Sequence, residues 1–277
     1  MTRIACWQAA CRPGGVPDFL RRLESAADRA AAGGARLLVT PEMSLAGYPL
    51  HAAGLAEAAE PVDGRWHEAV RSIARRTGVA IVYGWPERDA ETVYNSVRLV
   101  SAQSREEVVY RKTHLFGEID RAWFTAGDVP VVQAAVDGLR IGLLVCYDVE
   151  FPELVRAHAL AGTQLLVVPT ALMEPWQIVA RTLVPARAFE SQLYIAYTNW
   201  IGDRQALRFC GLSTIAAPDG RTIVAEPGVE TLLTGEIYPE IIAAARRETT
   251  YLSDLRPGLY GASAAGTAGT APTSESR

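Results

Sequence analysis

The chain has 277 residues, 49% hydrophobic and 21% charged, with a formal net charge of −4. That is the composition of an ordinary globular protein of one large domain or two small ones. The mild acidity gives no electrostatic reason to bind nucleic acid or an anionic membrane. No apolar run reaches bilayer-spanning length and the first residues lack the apolar core of a secretion signal, so a cytoplasmic protein is expected.

In chain order, residues 3–9 alternate and predict a first strand, followed by the turn CRPGGVP. Asp18 is placed to cap a helix running to about Ala32 and ended by Gly33 and Gly34. Residues 36–40 (RLLVT) are a short apolar strand that runs into PEMSLAGYP, a loop holding Glu42. This β-α-β start predicts an α/β layer architecture. Residues 65–77 have the spacing of an amphipathic helix, and GVAIVYGWPE is a strand and turn. Two strands joined by a polar turn then lead to Lys112, and THLFGEIDRAWFTAGD reads as a loop. Residues 131–136 and 139–145 predict a hairpin turning at Asp137–Gly138 and ending at Cys146. Beyond it come a helix at 152–161, a strand ending at Pro169, and a helix at about 176–190. A strand LYIAYTNWIG, a hairpin across Asp219–Gly220, a last strand TLLTGEIY and a short helix at about 239–247 complete the pattern. Residues 261–277 contain no core-forming side chain and predict a disordered tail, leaving one domain over residues 1–260.

The four cysteines, Cys6, Cys11, Cys146 and Cys210, form no C-x-x-C pair, and none of the four histidines pairs with a His or Cys at metal-ligand spacing. No metal site is expected. Of the 27 basic residues a single one, Lys112, is lysine. Arginine serves any surface role equally well, so a compact ammonium kept at one position points to chemistry.

Cys146 is the sharpest of these features. Ile141 to Val145 read as a buried strand, and Pro152 suits the first position of a new helix. A thiol at a strand-to-helix elbow stands clear of its own backbone, and the next amide, that of Tyr147, points into the same space. Such a thiol can attack a carbonyl while the amide stabilises the oxyanion. Glu42, Lys112 and Cys146 all fall at the ends of predicted strands, where α/β proteins gather their sites. Together they supply a proton acceptor, an ammonium to stabilise the oxyanion and lower the thiol pKa, and a nucleophile.

PEMSLAGYP, YRKTHLFG and CYDVEFPE, in that order and spacing, resemble the Glu, Lys and Cys motifs of the nitrilase-like carbon–nitrogen hydrolases. The resemblance covers about residues 3–260 and implies a four-layer α-β-β-α sandwich, in most members a homodimer or larger homo-oligomer. It implies hydrolysis of a non-peptide C–N bond in a small-molecule amide through a thioester, with no metal or organic cofactor. Many members carry a second Glu shortly after the Lys; here that position resembles Asp120, with Glu118 close by. Many also carry Arg two residues after the Asp of the Cys motif, where this chain has Glu150. An acid there repels a substrate carboxylate and favours neutral or cationic amides, unless Glu150 is tied to a local Arg such as Arg156. Tyr48, Glu150 and Trp176 are the candidate substrate contacts. The resemblance leaves open a nitrilase, a carbamoyl-amine hydrolase, or a catalytically silent binding protein on this scaffold. A Cys–His hydrolase using His114 or His158 is a further alternative.

Overall fold

Alternation along residues Thr2–Ala10 makes β1, one residue longer at each end than the sequence pattern. Its side chains divide by parity. Ile4 and Cys6 enter the core between two sheets, while Ala5 and Trp7 face an outer helical layer. The computed structural model describes residues 1–103 and 107–260, and the expected tail at 261–277 lies outside them.

Helix α1 (Gly15–Ala32) starts ahead of Asp18, which corrects the predicted cap. Asp18 lies inside the first turn and pairs with Arg21 at 2.8 Å, while Glu57 accepts the free Val16 amide at 3.1 Å. Strand β2 (Leu37–Val39) delivers Glu42. A short helix, α2 (Ala52–Ala58), then forms over a stretch with no apolar period, its first turn capped by the His51 ring. Helix α3 (Arg65–Thr77) matches its predicted bounds. Strands β3 (Ala80–Asp89), β4 (Thr92–Val100) and β5 (Val108–Arg111) follow, and β5 delivers Lys112. The loop predicted after Lys112 contains a single helical turn, α4 (Gly117–Arg121).

The second sheet is built from β6 (Gln133–Val136), β7 (Leu139–Leu143), β8 (Leu165–Pro169) and β9 (Tyr194–Thr198). Helix α5 (Pro152–Leu160) links β7 to β8. A π turn (Val179–Leu183) and α6 (Val184–Ser191) link β8 to β9, so this helix starts later than predicted. The strand predicted as LYIAYTNWIG is two strands in two sheets. The chain breaks at Asn199, and β10 (Trp200–Arg204) and β11 (Leu207–Cys210) return to the first sheet. Strands β12 (Thr214–Ala216) and β13 (Thr222–Val224) form the predicted hairpin on the second sheet. Strand β14 (Thr231–Ile237) runs antiparallel to β1, and α7 (Pro239–Glu248) and α8 (Pro257–Tyr260) end the described chain.

The sheet orders are β11-β10-β1-β2-β3-β4-β5, with β14 also on β1, and β13-β12-β9-β8-β7-β6. Helices α1 and α3 cover the outer face of the first sheet through Phe19, Leu23, Val70 and Ile73. Helices α5 and α6 join the core of the second through Leu154, Val155, Val184 and Ala188. This is the α-β-β-α sandwich. No helix among the described residues is long and apolar enough to cross a membrane.

Two close approaches hold the strand ends in place. A Cβ on Gly84 of β3 would sit 2.6 Å from the Met43 amide nitrogen, so the turn after Glu42 rests directly on that glycine. A Cβ on Gly142 of β7 would sit 2.4 Å from Nδ1 of His158, so the strand leading to Cys146 rests on a histidine of α5. His158 is fully buried and lies 3.0 Å from the Thr163 hydroxyl. Burial pushes its pKa down to about 4. The unfolded chain protonates this residue below about pH 6.5, and the native state resists until about pH 4. The native state therefore binds fewer protons across that window, and stability falls as pH drops through it. The full contribution is present above pH 6.5. We expect denaturant midpoints measured from pH 7 to pH 4 to fall less steeply for His158→Asn than for the wild type. The difference should approach about 3 kcal/mol at the acid end. Parallel curves would show that His158 does not titrate with unfolding.

Candidate active site

Three strand ends converge between the sheets. The Glu42 amide donates to the Thr170 carbonyl at 3.2 Å, joining the end of β2 to the end of β8 across the two sheets. Trp200 Nε1 donates to the Glu42 carbonyl at 2.9 Å. Lys112 is placed by its own amide, which donates to the Asn95 carbonyl of β4 at 2.8 Å.

The Lys112 ammonium is buried and lies 2.7 Å from Glu42 Oε1 and 2.7 Å from Asp120 Oδ2. Two of its three N–H bonds are thereby committed, and one remains. Asp120 is fully buried and also accepts from the Phe116 amide at 2.9 Å and the Tyr48 hydroxyl at 3.1 Å. Glu118 takes no part: its side chain is 91% exposed and lies 3.7 Å from Arg121. Asp120 is thus the acid beside Lys112. Tyr48 is 2% exposed beneath the site, so it contacts Asp120 instead of lining the cavity.

Glu42 Oε1 accepts from Lys112 and, at 2.7 Å, from Asn95 Nδ2, while Oε2 is buried without a partner. Burial pushes the Glu42 carboxyl above its ordinary range; Lys112 opposes this and Asp120 adds to it. Burial of the Lys112 amine is outweighed by Glu42 and Asp120, so it stays charged.

Cys146 has a φ of 48°, the left-handed conformation of a tight elbow, and opens a 3-10 turn (Cys146–Glu150). The first amides of such a turn, including that of Tyr147, have no partner inside it. Desolvation raises the Cys146 pKa and the Glu42 charge raises it further, against Lys112 and hydrogen bonds from Thr170 and Ala171. The ammonium does depress the thiol, as expected, but its effect is smaller than those of burial and the neighbouring acid, so the net shift is upward. The resting thiol is protonated and needs a base. Cys6, Cys11 and Cys210 are each at most 7% exposed.

Asp148 joins the lysine loop to the cysteine elbow. Its buried Oδ1 accepts from the Thr113 hydroxyl and the His114 amide, both at 2.9 Å. Its Oδ2 accepts from the Tyr110 hydroxyl at 2.9 Å and the Val145 amide at 3.1 Å. His114 Nδ1 lies 3.0 Å from the same carboxylate with its ring stacked on Phe151, and His158 sits on Gly142. Neither histidine is among the residues that line the cavity at Cys146.

A cavity of about 210 Å³ opens on Cys146, lined by Phe116, Tyr147, Glu150, Leu172, Met173 and Trp176 among others. That is below the range of drug-sized ligand sites and suits a compact acyl group. Glu150 lines this cavity, and no ion pair to it is present among the described residues. Arg156 instead donates to the Glu190 carbonyl at 2.8 Å, and Arg187 pairs with the Glu190 carboxylate at 3.0 Å and donates to the Glu150 carbonyl, not its carboxylate, at 2.9 Å. Burial raises the Glu150 carboxyl, opposed by Lys112 and Arg187. Trp176 is 50% exposed at the cavity mouth. Asn95, Asp148 and Thr170 were not singled out by sequence. The signal for Asn95 is an amide on the inward row that also carries Val97 and Leu99.

Residues 3–247 match the family model described as carbon-nitrogen hydrolase. A hydrolase encoded in the 5′ region of pqqF in Pseudomonas protegens is 44% identical, covering 93% of this chain and 90% of its own. An (R)-stereoselective amidase from Pseudomonas sp is 36% identical over 94% of this chain and 93% of its own. The crystal structure of an amidase from Nesterenkonia sp. superposes with a TM-score of 0.81 at 32% identity, covering 94% of this chain and 95% of that one. A variant of that amidase shows Michael addition of acrylamide at its active-site cysteine. Fold, motif order and these likenesses agree, and the chain belongs to the carbon–nitrogen hydrolase family as an amidase-type member of the nitrilase superfamily.

Proposed function

We propose that this protein hydrolyses a small neutral or cationic amide to a carboxylate and ammonia through a thioester on Cys146. The observation that carries the reading is the Lys112 ammonium held between Glu42 and Asp120, with both Lys112 and Glu42 close enough to act electrostatically on Cys146. Glu42 Oε2, the free oxygen, takes the thiol proton as sulfur attacks the amide carbon. The oxyanion faces the third Lys112 N–H and the Tyr147 amide. Protonated Glu42 returns the proton to the departing nitrogen, the C–N bond breaks, and ammonia leaves a thioester. Water, deprotonated by the same carboxylate, attacks the thioester, and the sulfur departs with its proton restored. Asp120 keeps the ammonium charged and in place, and Trp176 closes the acyl side of the cavity.

Substrate size and charge follow from the cavity. Structures of the Nesterenkonia amidase hold butyramide and the acetamide moiety of fluoroacetamide, both small and neutral. The same reading includes a homo-oligomer, which sedimentation reads directly. An ammonia-release assay over matched amides and nitriles separates amidase from nitrilase; turnover of the nitrile alone would overturn the amide assignment.

Lys112→Arg is expected to lose on the order of 100-fold in kcat, because the planar guanidinium displaces the charge from the oxyanion. Asp120→Asn should also fall well below the wild type in kcat, while Glu118→Gln should match it. Steady-state kinetics on the three variants decide the matter, and a Glu118→Gln defect larger than that of Asp120→Asn would reverse the assignment.

Glu150 generates a separate prediction. Two unit charges about 6 Å apart at an effective dielectric near 20 interact by about 3 kcal/mol, on the order of 100-fold in binding before salt screening. A carboxylate-bearing amide should therefore have a lower kcat/KM than neutral and amine-bearing amides of similar size. Glu150→Gln should narrow the gap, chiefly through the anionic substrate. A ratio that does not change, or a wild-type preference for the anion, removes Glu150 from the specificity account.

A further inference from the structure

Asn95 occupies an inward position of β4 in a row with Val97 and Leu99, both fully buried between the sheets. A polar side chain in such a row is costly unless it is hydrogen-bonded. Asn95 is itself fully buried, and only half of its amide is satisfied. Nδ2 donates to Glu42 Oε1 at 2.7 Å, while Oδ1 has no partner. The site thus contains two buried acceptors without donors, Asn95 Oδ1 and Glu42 Oε2. A sequence selected only for stability would fill this position with an apolar residue.

The hydrogen bonds on Glu42 are one-sided. Lys112 Nζ and Asn95 Nδ2 both donate to Oε1, and neither reaches Oε2. A lysine alone is a point donor that can bridge both oxygens of a rotating carboxylate. A second donor from a different strand removes that freedom. We propose that Asn95 is a positioning residue that locks the Glu42 carboxylate so that Oε1 is reserved for the ammonium and Oε2 alone exchanges protons with Cys146 and the leaving nitrogen. Its main chain does related work, because the Asn95 carbonyl accepts the Lys112 amide at 2.8 Å. One residue of β4 therefore sets the carboxylate through its side chain and the lysine through its backbone. The inference rests on the role of Glu42 as the base in the proposed amide hydrolysis.

The charged and titratable groups facing Glu42 are Lys112 from the end of β5, Asp120 from α4, and Cys146 from the elbow after β7. Tyr48 of its own loop adds a neutral phenol. All of these stay in place when Asn95 is replaced, so a change in the protonation of Glu42 reports the lost amide. Removing a donor from an ionised carboxylate raises its pKa. The acid limb of the pH profile therefore moves toward higher pH.

The test compares wild type, Asn95→Leu and Glu42→Gln. Asn95→Leu keeps the side-chain size and removes both the donor and the orphan acceptor. Expected for it are a kcat lower by at least about 10-fold, a part of the roughly 100- to 10,000-fold that general acid–base catalysis contributes, and a KM within about threefold of wild type. The acid limb of kcat/KM should rise by about 0.5 to 1 pH unit, and the thermal midpoint should not fall by more than a few degrees. Should Asn95→Leu fail to fold, Asn95→Ser, which is smaller and too short to reach Glu42, reads the same kcat and acid limb. An unmoved acid limb, or a loss confined to KM, overturns the proposal. Failure of the underlying reading looks different: Glu42→Gln then retains wild-type turnover. A dead Glu42→Gln beside an Asn95→Leu with an unshifted acid limb sinks only the role of Asn95.

Discussion

The site depends on one buried ammonium shared by two carboxylates. Taking Lys112, Glu42 and Asp120 out of water costs several kcal/mol per ion, and only close, well-aligned contacts offset that cost. At 2.7 Å to each acid the contacts are short, and Asp120 is further held by the Phe116 amide and the Tyr48 hydroxyl. Removing Lys112 leaves two uncompensated carboxylates in a dry interior, and removing either acid leaves the ammonium with a single partner. The cluster carries a net negative charge before substrate arrives. That surplus, together with burial, keeps the Cys146 proton on sulfur until a base removes it. Lys112 is then free to meet the oxyanion with its third N–H.

Placing that cluster requires five separate strand ends to agree. Glu42 follows β2, Lys112 follows β5, the Cys146 elbow follows β7, Thr170 follows β8 and Asn199 follows β9. Asp148 ties the lysine loop to the elbow through four hydrogen bonds from Tyr110, Thr113, His114 and Val145. Asn199 holds the cavity wall, accepting from the Leu172 amide at 2.9 Å and donating to its carbonyl at 3.0 Å. Thr170 joins the two sheets through the Glu42 amide. Each crosslink is a buried polar group with a partner, as the low dielectric demands. The orphaned oxygens of Glu42 and Asn95 are exceptions, and they sit against the reacting groups.

Much of this was legible in the sequence because strand alternation and elbow chemistry are local. The helix at 65–77, the Asp137–Gly138 hairpin and the three strand-end residues all carry their signals within a few positions. The first-turn cap of α1 carries no local signal, because its acceptor, Glu57, comes from another helix. Helix α2 lacks an apolar period and takes its cap from a histidine, and α4 is too short to show one. The run LYIAYTNWIG looks like one strand, since nothing local says that Asn199 sends its two halves into different sheets. Asp120 and Glu118 differ by two positions on one short turn, so only the direction of that turn separates the lysine's partner from a surface acid. Tyr48 is an aromatic in a motif loop, and its burial under Asp120 is a property of packing alone.

Covalent capture on Cys146 tests the account most directly. The wild type is mixed with a slowly hydrolysed small amide, quenched in acid within the first turnovers, and digested for peptide mass mapping. The account predicts an acyl group, the mass of the amide less ammonia, on the peptide containing Cys146 and on none containing Cys6, Cys11 or Cys210. It also predicts that Cys146→Ala keeps its fold and releases no ammonia. Turnover by Cys146→Ala, or an acyl group carried by another cysteine, contradicts it.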